Sequence, residues 1–259
     1  MSTGTPSPAR RVLITGAGRG IGRAAAVTLA AGGARVFGVS RTASELEALA
    51  SVAPVEILAC SIGDPAGCRE VAGEAVERLG GVDVLIHCAG VDTHRERPIW
   101  EQDATVWADT MTVNGWAAFE LARLLAGGMV ARGWGRIVMV ASTAGTAGGP
   151  ASTAYCAAKH AVVGLVRAAA LDLAPHRVTC NAVLPGWVRG TGMSDVTMQM
   201  TARRDGITVA EAWDRVERDT PGGRVATPDE VAAAIAFLAS EDAGAITGEL
   251  IRVAHGSLW

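Results

Sequence analysis

Short apolar runs alternate with longer helical stretches from Arg11 to the C-terminus. The runs Arg11 to Thr15, Ala34 to Val39, Val55 to Ala59, Val82 to Cys88, Arg136 to Ala141, Val178 to Leu184 and Glu249 to Val253 read as seven strands. Between them, Ala-rich helical sequence runs to about Ala31, Asp64-Pro65 supplies an N-cap and first-turn proline, and a long helical pattern covers Ala104 to about Ala131. Residues 153–173 form another helix, and Thr227-Pro228-Asp229-Glu230 caps the last one. The alternation predicts an α/β, Rossmann-like, doubly wound sheet of about seven parallel strands with helices on both faces, in one domain spanning residues 1–259.

Two segments depart from that rhythm. Residues 191–222 carry Met193, Met198, Met200 and Trp213, and Thr208 to Glu211 is a capping box that starts a short helix. An insertion after the sixth strand, at the binding edge, is expected to be a helical lid of about 187–222. The helix over 153–173 has alanine, glycine and valine on almost every face, so it needs cover on both sides. The sheet covers one, and a second subunit is expected on the other, in a homodimer or homotetramer.

That helix also holds the only tyrosine and the only lysine of the 259 residues, Tyr155 and Lys159. On a helix, positions four apart share a face, about 6 Å apart along the axis. An unperturbed phenol loses its proton near pH ~10, too high for acid–base work near neutrality. A fixed cation roughly 4 to 5 Å away, at an effective dielectric of about 20, favours phenolate by about 3 to 4 kcal/mol. The bland alternative, an interfacial Tyr beside a solvated Lys, does not account for the exclusive use of both residues here.

The first strand ends in Gly16-Ala17-Gly18-Arg19-Gly20-Ile21-Gly22 and leads into the first helix. Glycines in such a turn let the backbone approach a pyrophosphate, which the helix N-terminus also attracts. An NAD site generally places an acid at the end of the second strand, and here the sequence is Ser40-Arg41-Thr42. Arg41 and Arg19 would suit a 2′-phosphate instead, predicting NADP(H); the alternative is two solvated arginines.

With its TGxxxGxG turn and its YxxxK pair, the chain resembles the short-chain dehydrogenase/reductase family, in its single-domain branch, from Val12 to the C-terminus. The resemblance implies catalysis by Asn114, Ser142, Tyr155 and Lys159, with Ser142 thirteen residues before Tyr155 at the end of the fifth strand. It implies a cofactor held by Gly16, Gly18, Arg19, Gly20, Ile21 and Gly22, by Ser40 and Arg41, by Ser61 and Ile62, and by Ala89 and Gly90. Tyr155, Lys159, Pro185, Gly186, Val188 and Thr191 would complete that site. Asn114, followed by Gly115, would kink the long helix and support proton resupply. The 153–173 helix matches the family's four-helix subunit interfaces.

Several positions depart from the family pattern. Ser61 stands where an Asp commonly meets adenine and would accept that bond more weakly, while His87-Cys88 replaces two Asn, and these two are read as structural. Thr191 falls one residue late after Pro185-Gly186, so either Gly190 is a bulge or the nicotinamide contact is lost. At the tail, Trp259 is core, interface or a neighbour's pocket wall.

Composition narrows the class further. A net charge of −3 without a basic block argues against nucleic acid, and no uninterrupted apolar run reaches the roughly 18 residues of a membrane span. Five cysteines without a CxxC spacing suggest buried free thiols, and the scattered histidines suggest no metal. A cytoplasmic oxidoreductase acting on CH–OH/C=O is expected, with a small-molecule ketone or alcohol as partner. The lid resembles those of 3-hydroxybutyrate dehydrogenases and polyketide ketoreductases. Its Met and Trp favour a bulky apolar ketone, with His94, Ala144, Trp187 and Met193 as candidate substrate contacts. A small 3-hydroxy acid would need a cation, for which His94, Arg95, Arg97 or Arg189 could serve. A non-catalytic NADP-sensing regulator is the alternative from another class; an epimerase or dehydratase of the family's longer branch is disfavoured by length and glycine spacing.

Overall fold

The computed structural model describes residues 9–92 and 97–258. Strands β1 (Arg11–Thr15), β2 (Arg35–Ser40), β3 (Val55–Ala59), β4 (Val84–His87), β5 (Gly135–Val140), β6 (Val178–Pro185) and β7 (Leu250–Val253) pair in parallel in the order β3-β2-β1-β4-β5-β6-β7. The order reverses between β1 and β4, the switch point at whose carboxyl edge open sheets bind ligands. Expected strand ends are met within two residues.

Alternation along each strand divides the core into two layers. Leu13 of β1 and Val178, Cys180, Ala182 and Leu184 of β6 face a layer closed by helices α3 (Pro65–Leu79), α5 (Ala117–Arg132) and α6 (Thr153–Leu173). Val12, Ile14 and Val183 face the opposite layer, under α1 (Gly20–Ala31), α2 (Ala43–Ala50) and α9 (Pro228–Leu238). The capping residues read from sequence act as expected. Asp64 accepts from the Ala66 and Gly67 amides ahead of Pro65, and Thr227 with Glu230 forms a reciprocal box.

The long helix over 104–131 is α4 (Ala104–Met111) and α5 joined by a π-helical turn, Thr112–Trp116, centred on Asn114-Gly115. A π turn relieves the helix-breaking pair by widening one turn. α6 is apolar and long enough to cross a membrane by length and composition, but half of that stretch is buried against the fold and it carries Lys159, Arg167 and Asp172. The thiol expectation is corrected: Cys68 and Cys180 are buried, whereas Cys156 and the cleft-lining Cys60 and Cys88 are partly accessible.

Candidate active site

The lid holds two helices, α7 (Gly192–Asp205) and α8 (Val209–Asp219), rather than one. Thr191 caps α7 through the Ser194 amide, and Gly206 ends it in the left-handed conformation. Met198, Ala212, Trp213 and Val225 form a small core of their own, with Trp187 set edge-on to Trp213 at 6.5 Å. Val188 pairs in parallel with Ala226, which brings the two ends of this unit together.

A cleft of about 640 Å³ opens between the lid and the switch point. Gly16, Arg19, Gly20, Ile21, Ser40, Arg41, Ser61, Ile62, Ala89 and Gly90 line its cofactor side. Pro185, Gly186 and Ala144 line it from the ends of β6 and β5, Trp187, Val188, Thr191 and Met193 from the lid, and Ser142, Tyr155 and Lys159 also line it. Gly18, Gly22 and Asn114 stand behind this wall. His94 and Arg95 lie outside the described residues, as does Trp259.

The glycine turn fits a pyrophosphate. Gly16 has φ +69°, and a side chain there would begin 2.8 Å from the Ala89 amide nitrogen; one on Gly22 would collide with the Gly16 carbonyl. The turn is thereby pressed onto the end of β4. The N-cap Arg19 makes no side-chain cap bond to the first turn of α1 and no acid stands in it, which suits an anion there.

Below the turn, Tyr155 and Lys159 lie one turn apart on α6, with Lys159 Nζ 5.6 Å from the phenol ring centroid. Lys159 is 4% exposed and donates to the Val140 carbonyl at 2.9 Å. Burial lowers its pKa from 10.5 to about 8. Ser142 Oγ accepts from the Ala144 amide at 3.1 Å, which leaves the hydroxyl proton to donate into the cleft. Asn114 is fully buried; its amide accepts from Val91 N at 3.0 Å and donates to the Val91 and Thr110 carbonyls. It therefore pins the chain leaving β4 beside Lys159.

His87 and Cys88 are built into the scaffold. His87 Nδ1 meets Thr15 Oγ1 at 3.1 Å, and that hydroxyl accepts from Ala89 N, which joins β1 to β4. Its Nε2 faces the Val113 backbone without a hydrogen bond of good geometry, and burial lowers the imidazole to about 3, keeping it neutral. Although Cys88 lines the cleft and is partly accessible, desolvation of its sulfur raises the thiol to about 12. Gly190, just before the late Thr191, has φ +79°, and the Thr191 methyl lies 3.2 Å from the point where a Gly20 side chain would begin.

Three substrate expectations change. Met198 and Trp213, 2% and 4% exposed, fill the lid's own core. The face of α7 on the cleft is Met193, Thr197, Thr201 and Arg204, a helical repeat of mixed polarity. Arg189 is no carboxylate site, because it pairs with Glu217 at 2.9 Å and lies over Trp213. Sequence reasoning missed Glu45, Thr197, Thr201 and Arg204 among the lining residues. The α7 residues were legible from their i, i+4 spacing.

A parallel sheet with a glycine turn at its switch point, a buried lysine one turn from a tyrosine and a serine on the same cleft defines an oxidoreductase. Residues 16–257 match the family model described as enoyl-(acyl carrier protein) reductase. The chain is 37% identical to a Streptomyces violaceoruber protein named as ketoacyl reductase 1 of the granaticin polyketide synthase, over 98% of this chain and 96% of that one. It is 33% identical to the 3-oxoacyl-[acyl-carrier-protein] reductase FabG of Escherichia coli, over 94% and 95%. The crystal structure of a Phe-to-Trp variant of actinorhodin polyketide ketoreductase with NADPH superposes with a TM-score of 0.90 at 33% identity, over 96% and 97%. The chain belongs to the short-chain dehydrogenase/reductase family, and it is a nicotinamide-dependent ketone reductase.

Proposed function

We propose that this single-domain protein uses NADPH to reduce a bulky or polyketide-like ketone reversibly to a secondary alcohol. The observation that carries the reading is the Tyr155–Lys159 pair, the only residues of their kinds, set together in one cleft with Ser142. When bound, the nicotinamide supplies the hydride. Tyr155 gives its hydroxyl proton to the ketone oxygen, and Ser142 donates a hydrogen bond to the same atom. The Lys159 ammonium, held in a low-dielectric site, favours the phenolate that results and binds the cofactor ribose. Asn114, its amide committed to backbone, positions Val91 and Lys159 for proton resupply.

Arg19 and Arg41 on the adenosine side support NADPH, as does the NADPH named in the actinorhodin reductase structure. The commitment of Arg189 to Glu217 removes that residue as the cation for a small 3-hydroxy acid. Exposed Phe119 and Leu171 on α5 and α6 support a homodimer or homotetramer, and the free cysteines suit the cytoplasm. The test is oxidation of NADPH, and separately of NADH, with ketones from acetoacetate to bulky aryl and cyclic compounds. Turnover should be fastest with NADPH and bulky cyclic ketones. A preference for acetoacetate would contradict the substrate reading.

A further inference from the structure

The acid missing from the end of β2 is supplied by the first turn of α2. Glu45 Cβ and Oε2 each lie 2.9 Å from the point where a Gly18 side chain would begin, and Ser40 Oγ lies 3.1 Å from the same point. Glu45 Oε1 is 3.6 Å from Arg19 Nη1, and both residues line the cleft beside Ser40 and Arg41. The carboxylate thus occupies the end of the cleft assigned above to the adenosine 2′-phosphate. The pair is loose, with the Arg19 side chain 67% exposed, so a competing anion can displace it.

We infer that Glu45 sets the balance between NADPH and NADH, as counter-ion to Arg19 in the free protein and as a like-charged neighbour of any 2′-phosphate that Arg19 binds. This rests on the NADP(H) reading and deepens it. A 2′-phosphate has to take the guanidinium from Glu45 and then sit near its charge. A ribose 2′-hydroxyl meets no such opposition and can donate to the carboxylate. The site therefore discriminates less between the two cofactors than Arg19 and Arg41 would alone.

Dissociation constants of NADPH and NADH, measured by fluorescence titration without ketone for wild type and Glu45→Gln, test the inference. The variant should bind NADPH roughly five- to tenfold more tightly and NADH no more tightly, a gain that shrinks at high salt. Glu45→Ala should move the preference the same way, and a thermal melt of each ligand-free protein checks folding. A preference ratio unchanged within about twofold in both folded variants would overturn the role of Glu45. If wild type instead favours NADH while Glu45→Gln moves the ratio toward NADPH, Glu45 keeps its role and the NADPH reading falls. If wild type favours NADPH and neither variant moves the ratio, that reading stands and the inference fails.

Discussion

The two walls of the cleft are built differently. The cofactor wall is close-packed, with the backbone of Gly16 on Ala89 and of Gly22 on Gly16 and the Asn114 side-chain amide on the Val91 backbone, beside strands buried on both faces. The lid is a satellite, with a core of four buried residues and a short bridge from Val188 to Ala226. One wall leaves little freedom in residue type, while the other can be re-sequenced so long as Trp213 and Met198 stay covered. On the proposed function, reaction chemistry is held in the first and substrate choice in the second.

Lys159→Met breaks the first wall and has the largest predicted effect. Turnover should fall by roughly 10²- to 10⁴-fold, the range for loss of acid–base assistance. Ligand-free stability should move the other way. A pKa lowered from 10.5 to about 8 means that burying the ammonium costs about 3 kcal/mol at neutral pH. Between about pH 8 and 10.5 the unfolded chain binds the extra proton, so wild-type stability from this group rises with pH across that window. Denaturation of both proteins at the two ends of the window should show the variant's advantage at pH 7 shrinking by pH 10.

Trp213→Ala sharpens the contrast with a smaller effect. Emptying the lid core should raise the KM for a bulky ketone about tenfold and open the 187–226 segment to protease, since large aromatic truncations cost about 3 to 5 kcal/mol where they are packed. The NADPH dissociation constant should change by less than about twofold, because the cofactor wall does not depend on that core. Comparable losses of cofactor and ketone affinity would show that the two walls are coupled.

The same division explains what could be read from the chain. The strands, the caps at Asp64 and Thr227 and the pair at Tyr155 and Lys159 are local patterns, so periodicity and spacing expose them. Glu45 escaped because only the docking of α2 against the glycine turn brings it to Arg19. Met198 and Trp213 looked like substrate contacts because composition does not say which face of a lid helix turns inward. Arg189 looked available because Glu217, 28 residues on, is a partner that only the folded lid supplies. His87 was read as structural, and its bond to Thr15 across two strands shows how a ring takes over bracing between β1 and β4.

The most direct test of the account is Tyr155→Phe, which removes one hydroxyl oxygen from the cofactor wall and leaves Lys159 in place. NADPH titration and ketone-dependent NADPH oxidation should be run on the same preparation. The account predicts an NADPH dissociation constant within about threefold of wild type and turnover lower by roughly 10²- to 10⁴-fold across pH. Turnover retained within tenfold would contradict it, because the proton would then come from another group.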